Sequence, residues 1–328
     1  MSGEEARGGL RALAARSWAF LRRPLVRRAF SVACFAAAVW LIWVQLSQFS
    51  IGDFVAALLA TPAPAVGLSI ALTAASYLCL STTEWMALHA WGRRLSYWQA
   101  AQVAIPSYAL TNSAGFSPAT GTVMRVQLYA RRGLGAGQSA KVAMLAGAAV
   151  TVSGLVAGGA MMLLKRRMFA AALHLPEALV VALALALVAP ASLWFVTFTT
   201  RAPRWLGGAP ERHLSPAQRM LGLAAGLGDW LFSCAALFVL LPDPRWQIFA
   251  GFLWAYIGGS VLSAATGVPG GIGVFEALML LLTHIVARAH ETAAALLLYR
   301  CIYSFGPLGL ISVHGLLRRL RAAPAGRT

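Results

Sequence analysis

Long apolar stretches alternate with short polar connections along the whole chain. Most contain about 20 residues or more, the length that an α-helix needs to cross about 30 Å of hydrocarbon. Because a backbone inside lipid has to satisfy its own hydrogen bonds, these stretches predict helices rather than open strands. The clear spans are residues 30–47, 64–91, 139–164, 178–198, 219–241, 247–266 and 292–317.

Two further apolar regions, 98–134 and 267–287, are interrupted by glycine and proline. The first is broken around Pro118, and the second opens around Pro269. Both are too irregular for one plain spanning helix, so we predict that they enter the membrane as hairpins or half-helices. The sequence therefore predicts an all-α, polytopic membrane bundle of about eight transmembrane helices. The paired breaks also raise an inverted repeat as a hypothesis.

Composition agrees with this pattern and excludes a soluble protein. Of 328 residues, 59% are hydrophobic and 11% are charged, with a mean hydropathy of +0.70. A soluble chain carries about 25% charged residues. The pattern predicts a basic cytoplasmic segment over 1–29, a transmembrane domain over 30–317 and a basic tail over 318–328.

The net charge of +17 is distributed as in a membrane protein. If residues 98–134 enter and leave on one side, twenty Lys and Arg lie in cytoplasmic segments and five lie outside. This asymmetry predicts that both termini are cytoplasmic, although the basic cluster at 165–167 opposes it. We expect membrane lipids as partners and no nucleic acid. The cysteines and histidines form no ligand pattern, so no metal and no cofactor are predicted.

Ionisable residues inside the apolar stretches are the strongest functional signal. Each costs about 2.5 kcal/mol or more to place at membrane depth. Three acids and two arginines suggest ion pairs in a polar interior, and the alternative is that such pairs only lock helices together. Arg300 is far from either end of its span, with Glu276 and Asp229 as candidate partners. The five residues are Glu84, Arg125, Asp229, Glu276 and Arg300.

Glu84 continues a polar stripe of helical spacing that starts at Thr73 and includes Ser76 and Tyr77. Such a stripe should face the protein interior or water. The alternative is that Glu84 reaches the membrane interface.

Asp229 shares one predicted helix face with Gly222, Gly226 and Ser233. Small residues on that face would let another helix approach closely and bury Asp229. A structural role for Asp229 is thus an equal alternative to a functional one.

A charged residue follows each proline break by seven positions, Arg125 after Pro118 and Glu276 after Pro269. Seven helical residues place each charge about 10 Å beyond its break. Freed backbone N–H groups and a half-helix N-terminus suit an anion such as phosphate. The alternative is that each break is an ordinary tight turn.

Five strings in this sequence resemble the flippase part of the multiple peptide resistance factor family. This family is also described as the transmembrane region of lysylphosphatidylglycerol synthase, and the resemblance runs from about residue 65 to 317. The strings are TEWMAL (83–88), SYALTNSAGF (107–116), RVQLYARRGL (125–134), VPGGIGVFE (268–276) and ALLLYR (295–300).

The resemblance implies a bacterial inner-membrane protein that moves an aminoacylated phosphatidylglycerol to the outer leaflet and so protects against cationic peptides. Family members usually have Asp where this chain has Glu84, a conservative difference. Two-function members also carry a soluble aminoacyltransferase domain after the last span, where this sequence has only a short tail. We therefore expect no synthase activity here, a separate synthase as a partner, and a homo-oligomer as a further hypothesis.

The leading hypothesis is a lipid flippase with an anionic or aminoacylated phospholipid as substrate. The alternatives are a carrier of another amphiphile, such as a hopanoid or polyprenyl-linked sugar, and a membrane-embedded lipid transferase. The sequence contains no Walker A motif, so we do not expect this chain to hydrolyse ATP. The candidate headgroup-binding residues are Glu84, Asn112, Gly115, Arg125, Tyr129, Asp229, Pro269, Gly270, Gly271, Glu276 and Arg300.

Overall fold

The computed structural model describes residues 51–114, 118–200, 214–266, 268, 273–283 and 288–313. Within these ranges the chain forms helices and no strand. The last helix continues past Tyr299 through a π-helical turn, Arg300–Phe305, and on to residue 313. The helices are α1 (Ile51–Ala60), α2 (Ala63–Ala90), α3 (Tyr97–Ala114), α4 (Pro118–Ala130), α5 (Ala136–Leu164), α6 (Arg166–Leu173), α7 (Glu177–Thr200), α8 (Pro216–Phe238), α9 (Phe249–Thr266), α10 (Val274–Thr283) and α11 (Ala289–Tyr299).

The predicted polytopic all-α fold is confirmed. In the described ranges, α7 adds a shorter apolar stretch, Glu177–Leu193, to the longer crossings. The predicted span 30–47 and the basic segments 1–29 and 318–328 lie outside the described residues. Within the described ranges, five helical stretches are long and apolar enough to cross a membrane: Ala63–Ala90, Ala136–Leu164, Pro216–Phe238, Trp246–Ala264 and Ala289–Val313.

Helices α2 and α8 form a closely packed antiparallel pair. The Ser69 hydroxyl of α2 donates to the carbonyl oxygen of Ala236 on α8, at 2.8 Å. Further along the pair, a Cβ on Gly228 would lie 2.8 Å from Cys79 Sγ. Since direct van der Waals packing holds transmembrane helices together, this contact requires small residues on α8.

Helix α5 packs against the face of α8 that contains Gly226. The Trp230 indole lies directly on Gly154 and donates its N–H to the carbonyl of Val150, at 2.9 Å. A Cβ on Gly226 would lie 3.0 Å from the carbonyl oxygen of Ala149. The prediction that the Gly222–Asp229 face receives a neighbouring helix is therefore confirmed.

The interrupted region 98–134 is a helical hairpin. Arg132, just after α4, donates to Gln102 in the N-terminal half of α3, at 2.7 Å. Nearer the bend, a Cβ on Gly121 would lie 3.2 Å from the carbonyl oxygen of Ser107, so the two helices touch. Both ends of this region thus lie at the same end of the bundle, as the hairpin interpretation requires.

The second interrupted region differs from its prediction. Helix α10 begins at Val274, directly after Gly273 with φ +83°. Glu276 consequently lies in the first turn of its helix rather than two turns beyond Pro269. The equal spacing of the two charges from their prolines therefore does not reflect equal positions in helices.

Replacing Gly226 with Ala should destabilise the protein, because the new methyl group would press on Ser153 and on the backbone of Ala149. Overpacking of this kind costs about 1–3 kcal/mol. The matched control is Gly258→Ala on α9, where a Cβ meets nothing within 4 Å. There the substitution should be neutral or gain about 0.5–1 kcal/mol. Thermal unfolding in detergent measures both, and equal unfolding temperatures would refute the close α5–α8 packing.

Candidate functional site

A cavity of about 430 Å³ opens among α2–α5 and α8–α11 at the level of the broken segments. Its volume is that of a small-molecule site. One side is formed by α5, where Ala143, Gly147 and Thr151 present small side chains. Apart from Thr151, Trp230 and the tyrosines, the polar and charged residues that line it are Thr111, Asn112, Thr122, Arg125, Asp229, Ser233, Ser260, Ser263, Arg300 and Ser304.

Arg125 enters the cavity from α4 and is held by Glu84 of α2. Its Nε donates to both carboxylate oxygens of Glu84, at 2.9 and 3.0 Å. The Tyr129 hydroxyl donates to the same carboxylate at 3.0 Å. Glu84 is fully buried and Arg125 is 5% exposed. The alternative in which Glu84 reaches the membrane interface is therefore wrong.

The amino end of Arg125 points away from this carboxylate. Its guanidinium carbon lies 4.5 Å from the centre of the Tyr108 ring, a cation–π distance. Within the described part of the chain, all hydrogen bonds of Arg125 run from Nε. Gly121 leaves room for Nη1, since a Cβ there would lie 3.0 Å from it. Four N–H donors of Arg125 thus remain for a ligand or water in the cavity.

Arg300 enters from the opposite side and is held by Glu276. Its Nε donates to Glu276 Oε1 at 2.5 Å, which is one of the two pairings predicted for Arg300. The other carboxylate oxygen of Glu276 accepts the backbone N–H of Gly273 at 2.8 Å. This second bond is half of a capping box and fixes Glu276 at the start of α10. The π-helical turn begins at Arg300 and turns Tyr303 and Ser304 toward the same cavity.

Asp229 also lines the cavity, and its partners among the described residues are hydroxyl groups rather than an arginine. Its Oδ1 accepts hydrogen bonds from the Ser76 hydroxyl at 2.5 Å and from the Tyr303 hydroxyl at 3.4 Å. Among the described ion pairs, Arg300 pairs with Glu276 and not with Asp229. The sequence left both partners of Arg300 open, and the structure assigns Glu276.

Aromatic residues complete the cavity wall, and none of them was among the predicted headgroup-binding residues. Tyr256 and Tyr299 share a hydrogen bond of 2.6 Å between their hydroxyls. Tyr299 stacks on Tyr303 with ring centres 5.0 Å apart. Tyrosines in the middle of apolar spans, rather than at the interfaces where aromatic belts lie, were the available signal.

The predicted site residues fall into three groups. Four line the cavity: Asn112, Arg125, Asp229 and Arg300. Three stand behind it: Glu84 and Tyr129 hold Arg125, and Glu276 holds Arg300. Four lie outside the described residues: Gly115, Pro269, Gly270 and Gly271.

Comparison with known proteins assigns the chain to a family. The family model described as the lysylphosphatidylglycerol synthase TM region matches residues 29–310. The chain belongs to this family. It is also similar to an uncharacterised protein of Synechocystis sp., with 29% identity over 248 residues, which are 75% of this chain and 76% of that protein. Membership supports a multi-pass membrane protein with a role connected to membrane lipid.

Neutralising Glu84 should strongly destabilise this member of the synthase TM-region family. In Glu84→Gln, Arg125 stays buried without its carboxylate, a change that costs about 3–5 kcal/mol. The matched control is Glu177→Gln, because Glu177 pairs with Arg166 at the surface and is 47% exposed. An exposed pair contributes about 0–1 kcal/mol. Chemical or thermal unfolding in detergent compares the variants, and a loss of equal size in both would contradict the central role of the Glu84 pair.

Proposed function

We propose that this protein binds the headgroup of an aminoacylated phosphatidylglycerol, or a related phospholipid, in the cavity and moves it between leaflets. The observation that carries the proposal is the pair of arginines, Arg125 and Arg300, that line one cavity at membrane depth. Arginine binds phosphate through two parallel N–H donors, a geometry that lysine cannot supply.

The arrangement of Arg125 favours binding over a purely structural role. The carboxylate of Glu84 takes the Nε side of the guanidinium and leaves the amino side toward the cavity. Glu84 thereby compensates the charge and fixes the orientation, while the amino groups remain available to an anion. Two hydroxyl-bearing residues, Thr111 and Thr122, line the cavity beside it.

The size of the cavity indicates which part of the lipid enters. At about 430 Å³ it suits a headgroup but not two acyl chains that each span half of a bilayer. The chains would therefore stay in the membrane. The α5 side offers a route, because Thr151 is exposed and a Cβ on Gly147 meets nothing within 4 Å.

In this proposal the protein is a transporter of a bacterial inner membrane, and a separate synthase supplies its lipid. Export of an aminoacylated lipid would lower the negative charge of the outer surface and reduce the attraction of cationic peptides. Membership of the synthase TM-region family supports this proposal, as do the charged groups of the cavity.

Transport can be tested in liposomes that contain the purified protein and lysylphosphatidylglycerol. Arg300→Lys keeps the positive charge beside Glu276 but removes the planar fork that binds phosphate. The initial rate of transbilayer movement should fall about tenfold or more, the effect of one lost hydrogen bond to a charged group. Arg245→Lys is the matched control, because Arg245 pairs with Asp243 at an exposed site. Its rate should equal that of the unmodified protein.

Two results would overturn the proposal. The first is unmodified protein that moves the lipid no faster than liposomes without protein. The second is an Arg300→Lys variant that folds normally and transports at the original rate. Amine-reactive labelling of the outer leaflet over time gives the rates.

A further inference from the structure

Asp229 is the one acid among the described cavity-lining residues, and it has no basic side chain within ion-pair distance in the described part of the chain. It is 7% exposed, so little water reaches it. Its described hydrogen bonds all come from hydroxyls and all go to Oδ1. Oδ2 has no such bond, which leaves one carboxylate oxygen for the cavity.

The charges around Asp229 can be counted from every helix that packs there. Arg125 is balanced by Glu84, and Arg300 by Glu276. Helix α5 carries one ionisable side chain, Lys141, which lies 4.8 Å from the centre of the Trp91 ring and is not among the cavity-lining residues. The remaining titratable groups that face the site are neutral tyrosines and a thiol: Tyr77, Cys79, Tyr108, Tyr256, Tyr299 and Tyr303.

An ionised Asp229 would therefore give the described lining of the cavity a formal charge of about −1, because the other charges there form two neutral pairs. A desolvated carboxylate without a cationic partner is costly, and binding a proton removes that cost. A negative cavity would also repel the phosphate that the two arginines are placed to bind.

The hydroxyl groups around Asp229 can serve both protonation states. Ser76 and Tyr303 lie 2.9 Å apart, and either hydroxyl can be the donor. When Asp229 is ionised, both hydroxyls can donate to it. When it carries a proton, Ser76 can turn its hydrogen toward Tyr303 and accept from the acid. The network thus stays hydrogen-bonded as the proton enters and leaves.

We propose that Asp229 is a proton-binding site of the cavity, and that its proton is released when a headgroup carrying both phosphate and ammonium binds. The phosphate contacts the arginines, and the ammonium takes the place of the proton beside the carboxylate. One proton leaves for each lipid bound, so the summed charge of the Asp229 carboxylate and its bound cation, first the proton and then the ammonium, stays at zero. Transport of such a lipid is then linked to a counter-movement of protons. This inference rests on the proposed lipid-binding function.

Proton release on binding is the direct test. Purified protein in weakly buffered detergent is titrated with lysylphosphatidylglycerol between about pH 5 and 6.5, where the lipid amines stay charged. Unmodified protein should release up to one proton per lipid, and phosphatidylglycerol, which has no ammonium, should release none. Asp229→Asn should bind lysylphosphatidylglycerol without proton release. The matched control Asp243→Asn changes an exposed acid and should keep the release.

The pH dependence of binding provides a second readout that needs no variant. Because proton and ammonium compete, the affinity of unmodified protein for lysylphosphatidylglycerol should rise with pH, by at most tenfold per unit for one proton. The affinity for phosphatidylglycerol should not rise. Binding of lysylphosphatidylglycerol without proton release and with a flat pH profile would overturn the proton site alone. No binding of either lipid would instead overturn the proposed function.

Sodium is the competing occupant of a carboxylate surrounded by hydroxyls. Replacement of sodium with choline at constant ionic strength distinguishes sodium binding from proton binding at Asp229. If lysylphosphatidylglycerol displaces sodium rather than a proton, the proton site is wrong. Unchanged proton release after the replacement supports it.

Discussion

The structure depends on one electrostatic constraint, which is that an arginine at membrane depth requires a carboxylate beside it. Arg125 lies in the hairpin formed by α3 and α4, while Glu84 lies on α2. Their ion pair therefore attaches the broken hairpin to a full-length spanning helix. Because removing either partner leaves a buried charge uncompensated, the pair fixes the angle and depth of the hairpin. Tyr129 reinforces the same carboxylate, so α4 contacts Glu84 at two successive turns.

The second ion pair meets the same constraint with different local structure. Glu276 lies in the first turn of α10, where it also accepts the backbone N–H of Gly273. This places a carboxylate at a helix start, where negative charge is favourable. Its partner Arg300 begins a π-helical turn, and such turns occur frequently at functional sites. The extra residue of the turn changes which side chains face inward, so Tyr303 and Ser304 reach the cavity.

Hydropathy and helical spacing predicted the spanning helices, the buried stripe that contains Glu84, and the small-residue face around Gly226. These features are local, because each depends on composition or spacing within one helix. The hydrogen bonds of Asp229 to Ser76 and Tyr303 were not predictable in this way, since they depend on how α2 and the last helix meet α8. The π-helical turn has no simple sequence signal, so the inward placement of Tyr303 was missed. The equal spacing of Arg125 from Pro118 and of Glu276 from Pro269 was misleading. The second helix begins only after Gly273, which has a positive φ.

The hydrogen bonds of Arg125 distinguish a structural ion pair from a binding group. A pair that only locked two helices together would use as many guanidinium donors as geometry allows, because a buried unsatisfied donor costs about 1–3 kcal/mol. Here both bonds to Glu84 come from Nε, and within the described residues the four amino donors have no protein acceptor. These donors face the cavity that Arg125 lines, where a ligand or water can accept from them. The geometry is thus less than optimal for helix packing and well suited to an anion that enters and leaves.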